Sequence, residues 1–311
     1  MMKLKNKSSR LSGSKVGYNA ALLLLGLPAI IYLFLFSYLP MFGVVIAFKD
    51  YNYIDGIWGS PWAGLEHFDY FFSSSDAARI IPNTIMYSLG FLFLKQILCI
   101  IVAILLYELS NRIYIKTYQT AILLPNFISW VLVAYIGFTL FSHQHGILNS
   151  IIESLGGARI EWYAEPKYWP AILTIFEMWK GVGMGCILYY AALMALDVSL
   201  FESAMLDGAN RFQQIIHISI PSLMPTLIIL LILGIGSIMG GDFGLFYQVP
   251  RNSGPLYPVT DIIATYTYRG LTSGNLSQSS AVGLFQSVCG MIMVITTNAI
   301  TKKISPENSL F

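Results

Sequence analysis

The chain has 311 residues, 56% of them hydrophobic and only 11% charged, and 18 basic against 16 acidic side chains leave a net charge of +2. Soluble domains carry roughly 25% charged residues, so this composition and a mean hydropathy of +0.65 point to a bilayer as the solvent. The small net charge gives no reason to expect a nucleic-acid partner.

Residues 1–16 form a basic tail with Lys3, Lys5, Lys7, Arg10 and Lys15. The apolar run from Val16 to Phe48 is longer than the core of a cleavable leader and lacks an Ala-x-Ala-like end, so it is expected to remain as a first span. A helix of about 20 apolar residues crosses the hydrocarbon core. Segments 17–40, 81–107, 118–141, 169–195, 222–247 and 279–301 meet that length. Their apolar runs are continuous rather than alternating, which excludes a closed barrel. The expected fold class is all-α integral membrane, with six transmembrane helices in a single domain over residues 17–311. Cys99, Cys186 and Cys289 lie inside apolar stretches without metal-ligand spacing and read as small buried hydrophobes.

Basic residues set the orientation. With the N-terminus inside, Lys3, Lys5, Lys7, Arg10, Lys15, Arg112, Lys116, Arg211, Lys302 and Lys303 make ten on the inner side. Lys49, Arg79, Arg159, Lys167, Arg251 and Arg269 make six outside. Both termini are therefore expected in the cytoplasm. The first outer loop, from Lys49 to about Ile80, is dense in Tyr and Trp. Such aromatics suit the membrane interface, and they would equally suit a docking face for a delivery protein.

Charges within spans need a wet cavity or a partner, because each costs about 2.5–3.5 kcal/mol at the bilayer centre on insertion scales. Glu177 and Lys180, three apart in the fourth span, are expected to pair on one helix face, and with Trp179 they are candidates for the wall of a pathway. Lys95 is left without an assigned role. Gly181, Gly183 and Gly185, and Gly234, Gly236 and Gly240, permit close helix approach. Asp242 follows Gly240-Gly241 near the outer end of the fifth span, beside Phe243, Phe246 and Tyr247. An acid beside aromatic faces suits a sugar, which offers hydroxyls to hydrogen-bond and C–H faces to stack. His143 and His145 flank Gln144 and make too small a set for a metal.

The loop between the fourth and fifth spans runs from Phe201 to Pro221. Phe201, Ala204 and Met205 share one face of a short helix. Gly208 stands where that helix must reverse, Phe212, Ile215, Ile216 and Ser219 line a second helix, and Pro221 is expected to close the loop. A helix lying in the headgroups would be basic on its polar face; this segment has one Arg, no Lys, and the acids Glu202 and Asp207. A protein groove fits it better than a lipid surface.

The loop resembles the coupling, or EAA, motif of ABC-importer permeases: Glu-Ala-Ala-x-x-Asp-Gly-Ala, a spacer, then Ile-x-x-Pro. Glu202, Ala204, Asp207, Gly208, Ala209, Ile218 and Pro221 stand in register, with Ser203 where Ala is usual. The Asp-Gly-Ala ending and Phe212 resemble the carbohydrate, maltose-transporter-type branch. Phe48-Lys-Asp-Tyr-Asn, Ser60-Pro-Trp-Ala-Gly-Leu, Trp179-Lys-Gly-Val-Gly, Ala281-Val-Gly-Leu-Phe-Gln-Ser287 and the closing Asn308-Ser-Leu-Phe311 are similar to the polysaccharide, lipoprotein-type subgroup.

The resemblance implies a transport subunit of a bacterial cell membrane importer for sugars or oligosaccharides. Its partners would be a second homologous permease, two ATP-binding subunits carrying ATP and Mg, and an extracellular solute-binding protein. Glu202, Ser203, Ala204, Asp207, Gly208, Ala209, Phe212 and Pro221 would form the ATPase-coupling surface, with Glu202 near the positive end of the first helix dipole. No cofactor is expected on this chain, which has no Gly-x-x-x-x-Gly-Lys-Ser/Thr phosphate loop. The alternatives are an ion-coupled secondary transporter or channel, for which no convincing repeat between the halves is visible, and a membrane enzyme, for which no nucleophile–base set is visible.

Overall fold

The computed structural model describes residues 23–304; the basic tail and the Asn308-Ser-Leu-Phe311 close lie outside them. In chain order the main helices are α1 (Leu23–Phe48), α2 (Glu66–Ser73), α3 (Ser75–Tyr107), α4 (Arg112–Phe127), α5 (Trp130–Phe141) and α6 (Ile147–Ser154). They continue as α7 (Pro166–Met194), α8 (Val198–Leu206), α9 (Arg211–Gly236), α10 (Phe243–Gln248), α11 (Ile263–Thr272) and α12 (Leu276–Ile304). Helices α1, α3, α7, α9 and α12 are each long and apolar enough to cross a membrane, and α4 with α5 makes a sixth crossing if the pair is one span.

The axis of the bundle is α3, whose 33 residues extend about 50 Å at 1.5 Å per residue. Three apolar clusters sit along it. At its start Phe71, Ala77 and Ile80 pack with Met239, Ile263 and Val282. Around Tyr87 and Phe91, residues Leu173 and Phe176 of α7 meet Leu245 and Phe246 of α10. Near its end, Cys99, Ala103 and Leu106 pack on Cys186, Tyr189, Leu193 and Leu223. The rising residue numbers on both helices show that α3 and α7 run parallel. Gly181 and Gly185, four apart, face Lys95 and Cys99, also four apart, and a Cβ at either glycine would overlap those side chains. Gly183 lies as close to the Ile122 carbonyl of α4, and Gly234 and Gly236 of α9 meet Leu92 and Val294.

Two of the expected spans are broken. The 118–141 segment is two helices, α4 and α5, bent by 96°. Pro125 lies in a tight 3₁₀ turn at the end of α4, and the Ser129 hydroxyl accepts from the Leu132 N–H to start α5. The 222–247 segment stops at Gly236, turns through Gly241 (φ +60°) and restarts as α10. Asp242 is the cap of that new helix, its Oδ1 accepting from the Leu245 N–H at 3.1 Å. Conversely, α9 begins well before 222. Pro221 lies inside it, directly after a wide π turn over Ile215–Ser219. The extra residue in that turn loosens the ladder where proline has no N–H to donate. Pro221 thus sits within a continuous helix instead of ending the loop.

The segments Phe48-Lys-Asp-Tyr-Asn and Ser60-Pro-Trp-Ala-Gly-Leu form one folded cap at the start of α3. Lys49 bridges Trp62, the Asp50 N–H donates to the Pro61 carbonyl, and those of Ala63 and Gly64 to the Phe48 carbonyl. The buried Lys49 ammonium donates to the Ile57 and Trp58 carbonyls at 2.9 and 2.8 Å. Beside this cap a second polar knot ties α3 to α11. Asp261, fully buried, accepts from Arg79 at 3.0 Å, Arg269 at 2.6 Å and the Thr265 hydroxyl at 2.7 Å. Asn83 donates to the Asp261 carbonyl and Thr84 accepts from the Ile263 N–H.

Removing the carboxylate at Asp261 leaves Arg269 without an ion-pair partner, while Arg79 keeps Asp76 at 2.7 Å, so Asp261→Ala is expected to destabilise the protein by about 3 kcal/mol. Thermal unfolding in detergent, followed by a thiol-reactive dye reporting the buried Cys99 and Cys186, measures this; an unchanged melting temperature would show the knot to be dispensable.

Candidate functional site

The 197–221 connection is built from two capped helices. α8 starts at Val198, earlier than Phe201, because the Asp197 carboxylate accepts from the Ser199 N–H at 3.0 Å; that bond holds the Asp197 carboxyl below the ordinary aspartate range. The position of Glu202 is thereby corrected. It lies past the first turn, so Asp197 occupies the positive end of the dipole and Glu202 stands exposed on the helix flank. Phe201 anchors α8 on Tyr107 at the end of α3, with ring centroids 5.7 Å apart.

The end of α8 is a complete Schellman turn. The Gly208 N–H donates to Met205 (3.1 Å) and the Ala209 N–H to Ala204 (2.9 Å), with Gly208 left-handed at φ +84°. A capping box opens α9: Asn210 Oδ1 accepts from the Gln213 N–H and Gln213 Oε1 from the Asn210 N–H. Under this turn is a cavity of about 310 Å³ lined in part by Asp207, Gln214 and His217. Gln214 is buried there, and its Oε1 has no partner.

The predicted apolar faces divide differently from their periodicity. Phe201 is buried and Ala204 half-buried, while Met205 and Leu206 (89% exposed) turn outward. On α9, Ser219 is buried but Phe212 is 70% exposed, because the π turn rotates residues after Gln214 relative to those before it. The Ser203 hydroxyl bonds the Ser199 carbonyl of its own helix at 2.7 Å and leaves α8 smooth. Leu206, Met205 and Phe212 thus present apolar surface around an immobilised glycine turn.

Inside the bundle, Glu177 pairs with Lys95 of α3 at 3.4 Å, not with Lys180. Gly181 explains the choice, since its missing side chain leaves the space that the Lys95 ammonium fills. Lys180 instead donates to the Asn126 carbonyl at 2.8 Å, at the break between α4 and α5, and stands 5.3 Å from the Trp130 ring centroid. The Trp130 indole N–H donates to Asp242 Oδ2 at 2.9 Å. Charges on α7 and the caps of both broken spans therefore form one connected group. Trp179 is exposed, edge-on to Phe176.

The aromatics beside Asp242 separate. Phe246 is buried against Tyr87 and Phe91. Phe243 and Tyr247 stack on each other at 5.0 Å and share contacts with Tyr268. Sequence periodicity misses Lys95, Asn126, Trp130 and Tyr268 as members of this group; the Pro125-Asn126 and Gly240-Gly241-Asp242 punctuation was the available signal.

Past α10, Arg251 and Asn252 both adopt left-handed backbone, φ 57° and 49°. Two cavities meet there. One, of about 710 Å³, lies between Phe138, Tyr163 and the histidines His143 and His145. The other, of about 240 Å³, lies between α5 and α10. Burial pushes the Tyr163 phenol up to about 12, with Arg251 acting in opposition.

A helical bundle with two broken spans and an exposed two-helix loop has the form of a membrane transport subunit. Residues 97–306 match the family described as the binding-protein-dependent transport system inner membrane component, and the chain belongs to that family. Protein LplB of Bacillus subtilis is 40% identical over 92% of this chain and 90% of its own. The polygalacturonan/rhamnogalacturonan transport system permease protein YteP of the same organism is 36% identical over 92% and 89%. A chain of a bacterial ABC transporter involved in import of the acidic polysaccharide alginate superposes with TM-score 0.86 and 32% identity, over 96% of this chain and 100% of its own. The alginate transporter has also been solved with an alginate pentasaccharide-bound periplasmic protein, at TM-score 0.84 and 31% identity over 94% and 97%. Family membership replaces the ion-coupled and enzyme alternatives.

The Lys95–Glu177 bond makes a specific demand on a double-mutant cycle. Lys95→Ala and Glu177→Gln should be non-additive by about 1 kcal/mol in thermal unfolding, whereas Lys180→Ala and Glu177→Gln should couple more weakly. Coupling to Lys180 instead would restore the i,i+3 pairing.

Proposed function

We propose that this chain is one permease subunit of an ATP-driven importer of sugars or oligosaccharides, driven through the 197–221 loop by separate ATP-binding subunits. The observation that carries the coupling role is the loop itself. Phe201 fixes α8 to α3, the Schellman turn and capping box remove its freedom, and α9 continues without interruption from the turn into its membrane span. A displacement applied at Leu206, Met205 and Phe212 is therefore delivered to the bundle as a rigid rotation and not absorbed by a flexible linker.

In this reading the exposed apolar side chains enter a cleft of the ATPase, Glu202 and Asp207 meet cations on its rim, and Ala204 and Ala209 allow close approach. ATP and Mg²⁺ belong to the two partner subunits. A second homologous permease completes the pathway, and an extracellular solute-binding protein delivers the cargo. The partner proteins require the loop end to be cytoplasmic, with both termini, in a bacterial cell membrane. The cap bearing exposed Tyr53, Trp58 and Trp62 then faces the binding protein. Along the path, Glu177, Lys180 and Asp242 supply hydrogen bonds to hydroxyls while Phe243 and Tyr247 offer ring faces. The carbohydrate class follows from the substrates named for the relatives and from this pairing of carboxylates with aromatics.

Gly208→Val tests the coupling role. A Cβ at position 208 meets no atom within 4 Å, so the substitution acts through the left-handed backbone, which costs an L-residue about 1–2 kcal/mol. The variant should insert normally and co-purify with the second permease, yet lose at least tenfold in uptake per ATP hydrolysed, a fall of about 1.4 kcal/mol in coupling. Wild-type uptake per ATP by this variant would sink the lever mechanism.

A further inference from the structure

Arg251 combines features that no role described so far uses. Its backbone is left-handed at φ 57°, and Asn252 follows at φ 49°. Single asparagines tolerate that region; an arginine does so at a cost. The conformation is held by the Arg251 N–H on the Gln248 carbonyl and the Asn252 N–H on the Tyr247 carbonyl, each 3.1 Å. The Ser253 hydroxyl, on the Tyr163 carbonyl at 2.8 Å, and the Tyr257 hydroxyl, 3.1 Å from Asn252 Oδ1, brace the turn from both sides. The result is an exposed arginine on a braced backbone, standing in the wall between two cavities.

That guanidinium is uncommitted. It stands 4.2 Å from the Phe138 ring centroid, a contact with its face that does not consume its N–H donors. Among the described residues no carboxylate or carbonyl pairs with it. The nearby acid of the larger cavity, Glu161, lies against His143 at 3.3 Å instead. On the same side, the buried Tyr163 hydroxyl has no hydrogen-bond partner, an omission that calls for an explanation. The smaller cavity, about 240 Å³, has room for one sugar ring. Tyr135 and Tyr247 give it aromatic walls, and Gln248 and Asn252 give it amides. No acidic residue lines it.

We infer that this cavity is a carboxylate-selective sugar subsite, in which Arg251 takes a uronate carboxylate while the ring lies between Tyr135 and Tyr247, so that the imported oligosaccharide is acidic. The planar fork of Arg matches a carboxylate through two parallel N–H···O bonds, a geometry that lysine lacks. The Tyr163 hydroxyl, still protonated, stands on the far side of Arg251 to donate to the same or the next sugar unit. Neutral sugars would leave the guanidinium desolvated and unpaired, which is how such a site rejects them. The assignment deepens the importer reading and rests on it.

The test uses the whole transporter, with both permeases, the ATP-binding subunits and the solute-binding protein, in proteoliposomes. ATP hydrolysis and uptake are measured with galacturonate and alginate oligosaccharides of three to five units and with the same oligosaccharides after reduction of their carboxyls to alcohols. The wild type should respond to at least one acidic series and at least tenfold more weakly to its reduced counterpart. Arg251→Gln should raise the half-saturating concentration for the acidic series by about tenfold to a hundredfold, the range for a lost charged hydrogen-bond pair, and Arg251→Lys should recover only part of it. Tyr163→Phe should weaken the same response more mildly. Equal loss for acidic and neutral sugars in Arg251→Gln, or a wild type that prefers neutral sugars, overturns the subsite and leaves the importer standing. Absence of stimulation by any sugar overturns the importer reading itself.

Discussion

Hydrocarbon offers no hydrogen bonds, so a helix that ends inside the bundle must find partners for its free backbone groups among protein atoms. This chain ends two helices there, and the rest of its architecture follows from how those ends are satisfied. The last turn of α4 leaves the Asn126 carbonyl free, and Lys180 reaches it from α7. The first turn of α10 needs an acceptor, and Asp242 supplies one while its other oxygen takes the Trp130 indole from the first turn of α5. A straight helix would have needed neither charge. The breaks place polar groups at bundle depth, and depth is where a translocated hydrophilic solute needs them.

The scaffold that holds these breaks is the parallel pair of α3 and α7. Glycines four apart on one helix meet side chains four apart on the other, which brings the backbones together without a gap. Close approach also fixes which ions pair. Lys95 sits in the space left by Gly181 and reaches Glu177, so Lys180 is released to the α4 break. The same pair runs on to the loop end, where Tyr107 of α3 receives Phe201. The loop and the interior polar groups are therefore attached to the same helix pair.

At the opposite end the structure is stiffened by polar knots rather than by apolar clusters alone. Asp261 gathers two arginines, and Lys49 gathers two backbone carbonyls within the folded cap. These close the charges of that end upon themselves, which makes the uncommitted Arg251 conspicuous. Its left-handed backbone stands between two open cavities.

Hydropathy alone determined that this protein is a helical membrane bundle, because burial in lipid demands long apolar helices and leaves few other options. Gly208 similarly made the reversal of the loop legible, since a helix reversal at glycine is a local event. Position along the chain also marked Asp242 as special, through Gly240-Gly241 before it. Tertiary structure decided what periodicity could not. Apolar content is the same for a straight span and a bent one, so the 96° break at Ile128–Ser129 and the restart at α10 left no mark on hydropathy. Likewise Glu177 and Lys180 satisfy the i,i+3 rule on paper, but the partner of a buried charge is set by which neighbouring helix comes closest. The π turn over Ile215–Ser219, which separates the face of Phe212 from that of Ser219 and precedes Pro221, likewise left no mark on the periodicity. Such features depend on contacts between residues far apart in sequence, and only folding brings those residues together.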